Sequence, residues 1–154
     1  MNIFIKINRP KLILLFLLTL GLMSACSNAA QSATPVKEPT VSPDKVEVVY
    51  FYDSEICHCQ IAPGERIQST LFINFGGDLS SGKLTYQMID LTDSTNADIV
   101  SKYQATAQSL FISVIRGDSE QIIAVPEILL VKDDDEAIDR LIINRVNRYL
   151  SGED

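Results

Sequence analysis

Residues 46–52 read Val-Glu-Val-Val-Tyr-Phe-Tyr, apolar at both odd and even positions. Side chains alternate across a strand, so such a strand has to be covered on both faces. That requirement favours a sheet sandwiched between helices and makes this segment its central strand. The strand runs out into Asp53-Ser54-Glu55-Ile56, then Cys57-His58-Cys59, then Gln60-Ile61-Ala62-Pro63-Gly64, which reads as the start of a helix. Two thiols therefore stand between a strand end and a helix N-terminus. The partial positive charge and free N–H groups at that end favour thiolate over thiol.

The remaining pattern predicts the other elements. Ile67, Leu71 and Phe75, with Phe72 beside them, give a helix over 60–75 its core stripe, and Gly76-Gly77 should end it. Pro63 is tolerable in the first turn, where its missing N–H had no partner anyway. Residues 83–89 alternate around Leu84, Tyr86 and Met88 as a second strand. A polar turn over 90–94 leads to a short helix over 96–103. Residues 109–115 form a third strand, 116–119 a hairpin turn, and 121–125 the returning strand. Residues 126–131 connect, through an apolar segment with room for a single helical turn, to a last helix over 134–150, with Ile138, Leu141, Ile142, Val146, Tyr149 and Leu150 along one side. The order is β-α-β-α-β-β-α: a mixed α/β fold with a four-stranded sheet flanked by helices, its first two strands parallel through a right-handed crossover.

The N-terminus reads as an address. Lys6, Arg9 and Lys11 precede an apolar run over residues 12–22 that is too short to cross a bilayer core of roughly 30 Å, which takes about 20 residues. This is the pattern of a signal peptide over 1–25. Met23-Ser24-Ala25-Cys26 resembles the lipobox of bacterial lipoproteins, in which the cysteine is lipidated; the alternative is an ordinary secretory signal ending near a coincidental cysteine. Residues 26–44, with Pro35, Pro39 and Pro43, read as a tether, residues 45–150 as one domain and 151–154 as a tail. The whole sequence has 13 Lys and Arg against 20 Asp and Glu. All three basic residues of the signal would be lost from the mature chain. That acidity argues against nucleic acid as a partner and against electrostatic docking on anionic lipid. The membrane would be reached through lipid on Cys26, in the bacterial cell envelope, on the outer face of the cytoplasmic membrane or on the outer membrane.

The domain resembles the thioredoxin-like family. The resemblance rests on the apolar strand ending in Tyr50-Phe51-Tyr52, the cysteine pair at the strand–helix junction, Ala62-Pro63 just inside the helix, and the element order. It is most similar to a bacterial thioredoxin-like family described as a nitrophenyl-compound nitroreductase subunit, through Lys102-Tyr103-Gln104-Ala105-Thr106 before the third strand. The resemblance implies thiol–disulfide exchange with exported proteins or with a membrane redox partner, Cys57 attacking and Cys59 resolving. Two departures bear on it. Thioredoxins use Cys-x-x-Cys, whereas here one residue, His58, separates the thiols. They also carry a cis-proline before the third strand, where this chain has Thr106-Ala107-Gln108-Ser109.

The chemistry of the pair stays open between three readings. Residues i and i+2 are at most about 7 Å apart, so a Cys57–Cys59 bridge can close from a bent backbone. It would restrain little of the unfolded chain, so its use would be redox rather than stapling, as an oxidant or isomerase. His58 reads either as a spacer that, when protonated, would favour thiolate, or as a metal ligand. Alternatively, two adjacent thiolates suit Cu(I), with Cys57 and Cys59 as ligands of a carrier; zinc would want four Cys or His ligands. The third reading is a thioredoxin-fold scaffold of a membrane complex. Asp53 and Glu55 flank the thiols as turn residues or proton acceptors. Residues 77–84 approach a phosphate-loop spelling but lack its final Ser or Thr and precede a strand, so they read as a turn. Residues 133–136 read as caps of the last helix.

Overall fold

The computed structural model describes residues 42–153. The expected signal peptide, Cys26 and the tether up to residue 41 lie outside the described residues. The central strand β1, Lys45–Tyr52, pairs in parallel with β2, Leu84–Asp90, and antiparallel with β3, Leu110–Arg116; β4, Ser119–Ala124, pairs antiparallel with β3. The sheet order is β2-β1-β3-β4. This is a mixed α/β fold whose β3 alone runs against the other three strands. Helices α1, Ile61–Asn74, and α2, Gly76–Ser81, connect β1 to β2; α3, Ala97–Tyr103, connects β2 to β3; α4, Ile128–Val131, and α5, Asp135–Leu150, follow β4.

The both-faced pattern of β1 has the expected result. Val46, Val48 and Tyr50 point into the larger core with Ile67 and Leu71 of α1 and Ile138, Ile142 and Val146 of α5. Val49 and Phe51 point the other way, into a smaller core with Ile89 and Tyr103. There the rings of Phe51, Tyr103 and Phe111 meet at centroid distances of 5.5, 5.8 and 5.3 Å, in tilted and edge-on geometry that suits aromatic quadrupoles.

Two expectations need correction. Phe72, placed beside the core stripe by its spacing, is exposed; Ile67, Leu71 and Phe75 fill that stripe without it. Gly76-Gly77 does not end the helical path. The chain breaks at Phe75 and turns helical again from Gly76, so residues 77–81 are helix rather than turn, and the stop falls at Gly82 in the left-handed region (φ +77°). The hairpin turn is tight: Gly117 and Asp118 alone separate β3 from β4, with Gly117 at φ +55°. Asp134 caps α5 by accepting from the Ala137 N–H at 3.0 Å, and Asp135 and Glu136 occupy its first turn, as the acidic run suggested.

One contact positions α1 on the sheet. A Cβ on Gly64 would lie 2.6 Å from Met88 Cε and 2.7 Å from Tyr50 Cδ1. Only a residue without a side chain lets the first turn of α1 come this close to β1 and β2. Gly64→Ala should therefore lower stability by about 1–3 kcal/mol through overpacking, read as a lower denaturant midpoint with an unchanged slope.

α1 and α5 are also joined by charge. Arg66 donates through Nε to Asp139 Oδ1 at 2.7 Å and through its terminal nitrogen to Oδ2, and the Thr70 hydroxyl donates to the same carboxylate. The Arg66 hydrogen bond holds the Asp139 carboxyl below its usual range. A carboxylate with a lowered folded pKa stabilises above its unfolded pKa, about 3.9. The contribution disappears as pH falls through the folded value. The stability gap between the wild type and Asp139→Asn should accordingly be full at neutral pH and close on acidification below about pH 4, measured by denaturation at a series of pH values.

Candidate functional site

The cysteines lie where the chain leaves β1. Because β1 connects to β2 on one side and pairs with β3 on the other, its C-terminal end is the switch point of the sheet, where ligand sites of α/β sheets form. Asp53 folds the chain at once: its Oδ1 accepts from the Glu55 N–H at 2.9 Å and from the Ile56 N–H at 3.2 Å. Cys57 follows in extended backbone (φ −164°, ψ 150°) and opens a 3-10 turn, His58–Gln60, that runs directly into α1. The helical path thus begins two residues before the expected start, and Cys59 lies inside it.

Cys57 and Cys59 are paired, their Cα atoms 5.2 Å apart, inside the disulfide range. Cys57 is half-buried, whereas His58 and Cys59 are exposed. The first turn of α1 holds no acidic residue, so its positive end, directed at the cysteine turn, is not offset there. Among the described residues, no three or more His, Cys, Asp or Glu side chains converge as a metal-ligand set. His58 therefore does not join the thiols in one, and the Cu(I) expectation rests on Cys57 and Cys59 alone.

Gln60, read from the sequence only as a helix start, holds the turn shut. It is buried at 5 % exposure. Its side-chain oxygen accepts from the Asp53 N–H at 3.0 Å, its own N–H donates to the Cys57 carbonyl at 3.2 Å, and its carbonyl accepts from the Tyr50 hydroxyl at 2.8 Å. Burial pushes the Tyr50 phenol up to about 12, which keeps it protonated as the donor. Tyr86 does the same one helical turn later, donating to the Gly64 carbonyl at 2.6 Å, and burial raises its pKa as well. No periodic signal marks Gln60. Gly64 leaves a trace, since glycine inside a helix is costly unless a neighbour needs the space.

The turn is also tied to the end of β2. The Ser54 N–H donates to Asp90 Oδ1 at 3.4 Å, and the Ser54 and Thr92 hydroxyls lie 3.0 Å apart. Hydrogen bonds from Ser54 and from the Thr92 backbone hold the Asp90 carboxyl down at about 2. Across from the turn, the Phe51 N–H donates to the Ser109 carbonyl at 2.9 Å, so the start of β3 borders the site. There Gln108, in the stretch where thioredoxins carry their proline, adopts φ +61°. A non-glycine residue in the left-handed region is an uncommon backbone state beside a candidate site. Lys102 donates to Glu120 at 2.7 Å on the surface, and Tyr103 joins the aromatic cluster of the smaller core.

Asp53 is committed to the turn, and Glu55 is exposed beyond it. No helix among the described residues is long and apolar enough to cross a membrane. No protein-family model matches the chain, and no curated protein matches it.

Gln60→Ala would leave the Asp53 N–H without its acceptor. It should cost about 1–3 kcal/mol in denaturation, whereas Glu55→Ala on the exposed side of the same turn should stay within about 0.5 kcal/mol.

Proposed function

We propose that this chain is a thioredoxin-like protein of the bacterial envelope, anchored by lipid on Cys26, that exchanges thiols and disulfides through Cys57 and Cys59. The observation that carries this reading is the paired cysteines at the switch point of the sheet, held between the end of β1 and the unopposed N-terminus of α1. The strand order, with β3 alone reversed, is compatible with a thioredoxin-like fold, and the residue-level resemblance to the nitrophenyl-compound nitroreductase subunit family belongs to the same reading. That resemblance names no substrate for the cysteines.

In the reductive direction the Cys57 thiolate attacks one sulfur of a partner disulfide. A mixed disulfide forms, and the partner's other sulfur leaves as thiolate. The Cys59 thiolate then attacks Cys57 Sγ, closing the Cys57–Cys59 bridge and releasing the second partner thiolate. The partner gains two electrons and the cysteine pair loses two. Run in reverse, the bridge oxidises a partner dithiol. The short separation of the two cysteines favours this oxidising or isomerising direction. His58, when protonated, and the α1 N-terminus stabilise the thiolate that each step releases.

Titrated against a glutathione buffer, the chain should show one two-electron transition at a potential above about −300 mV, the range of structural disulfides. Cys57→Ser and Cys59→Ser should each abolish it, and Cys59→Ser should accumulate the mixed disulfide in an exchange assay. Thiols that never close an intramolecular bridge, or that hold Cu(I) through purification, would overturn the exchange reading.

A further inference from the structure

Residues 53–60 form a loop that leaves the end of β1 and comes back to the sheet at the start of α1, and both cysteines lie inside it. In an extended chain residues i and i+2 stand about 7 Å apart, at the outer limit for a disulfide. The Cα atoms of Cys57 and Cys59 are 5.2 Å apart. Cys57 is itself extended, so the bend that brings the pair together is carried by the His58–Gln60 turn. One residue fastens that turn in three directions. The Gln60 N–H closes it onto the Cys57 carbonyl at 3.2 Å, the Gln60 side-chain oxygen accepts from the Asp53 N–H across the neck of the loop at 3.0 Å, and the Gln60 carbonyl accepts from the Tyr50 hydroxyl of the central strand at 2.8 Å. The ladder of α1 does not extend to Cys59, because Pro63, four residues later, has no N–H for its carbonyl.

We propose that Gln60 is the positioning residue of the cysteine pair: it keeps the loop bent whether or not the sulfurs are joined, and so sets how readily the bridge closes. The inference rests on the exchange reading of Cys57 and Cys59. The bridge forms only from the bent backbone. In an unfastened dithiol the loop spreads over extended conformations in which the thiols do not meet, and closing the bridge costs the entropy of gathering them. Fastened by Gln60, the dithiol has already lost that freedom. The oxidised form gains more from the fastening than the reduced form does. A bridged loop is bent in any case and loses the hydrogen bonds outright when Gln60 is changed, whereas a reduced loop opens and regains partners in water. The same bend acts on the mixed disulfide. It holds Cys59 Sγ near Cys57 Sγ, so the Cys59–Cys57 bond forms as the bond from Cys57 to the partner sulfur breaks, and the partner leaves as thiolate.

The test compares the full chain with Gln60→Met, which keeps the length of the side chain without its acceptor, and with Tyr50→Phe, which removes only the hydroxyl and carries the test alone if Gln60→Met does not fold. Ile142→Val, in the core stripe of α5 and outside the loop, lowers stability without touching the fastening. Each is equilibrated against glutathione, and each is denatured in its oxidised and its reduced form. Gln60→Met and Tyr50→Phe should shift the equilibrium toward the dithiol about three- to tenfold, the scale of one hydrogen bond. For a two-electron couple that raises the potential by about 15–30 mV. By linkage, both variants should destabilise the oxidised form more than the reduced form by the same factor. Ile142→Val should weaken both forms alike and leave the potential at the wild-type value. If Gln60→Met and Tyr50→Phe behave as Ile142→Val does, or shift the equilibrium toward the bridge, the positioning role is overturned while thiol exchange stands. A wild-type chain with no two-electron transition overturns both.

Discussion

The Gly64 backbone lies so close to the side chains of Tyr50 and Met88 that no Cβ fits between them, and the candidate site depends on this approach. It lets the first turn of α1 settle onto β1 and β2 at a distance where two tyrosine hydroxyls, one buried and one half-buried, reach backbone carbonyls, Tyr50 to Gln60 and Tyr86 to Gly64. Helix, central strand and neighbouring strand are thereby locked together at one end. The 3-10 turn bearing Cys59 is continuous with that locked helix. Cys59 is exposed and Cys57 half-buried, but the backbone on which they ride is fastened from below by apolar contact and by hydrogen bonds.

Around the same end, acidic side chains serve as structural acceptors. Asp53 closes its own turn, and Asp90 joins the Ser54 and Thr92 segments. With its carboxyl at about 2, Asp90 stays charged throughout the physiological range and holds no proton to pass to a thiolate. The site has the character of a rigid rim with accessible sulfur rather than of an enclosed catalytic pocket.

Much of this was legible in the residues. The apolar character of β1 on both faces implied two covering layers, and the Ile138–Ile142–Val146 spacing implied α5. The Gly117-Asp118 turn implied the hairpin. Each of these signals is local and repeats along its element. What was not legible depends on which residues meet across the fold. Phe72 fits the helical period as well as Leu71 does, and only the placement of the sheet decides which is covered. Gln60 looks like any polar residue at a helix start until the Asp53 N–H and the Tyr50 hydroxyl are brought to it. Gly76 carries the breaking signal of a helix end, yet α2 resumes there, because a break in direction was needed rather than a stop.

The two-residue turn between β3 and β4 also bears on the order in which the sheet assembles. Arg116 pairs with Ser119 across it, so the hairpin needs almost no loop closure and belongs to the microsecond class of events. β1 and β2 are different: Val46 meets Leu84 about 40 positions later, after two helices have formed between them. Pairings of such high sequence separation dominate the folding time of small domains. The seam at Gly64 and the turn it supports depend on this long-range pairing, since Met88 of β2 lies against Gly64. The turn that carries the cysteines has its full set of hydrogen bonds only where β1, β2 and the start of α1 meet, because Tyr50, Asp90 and Gln60 come from those three places.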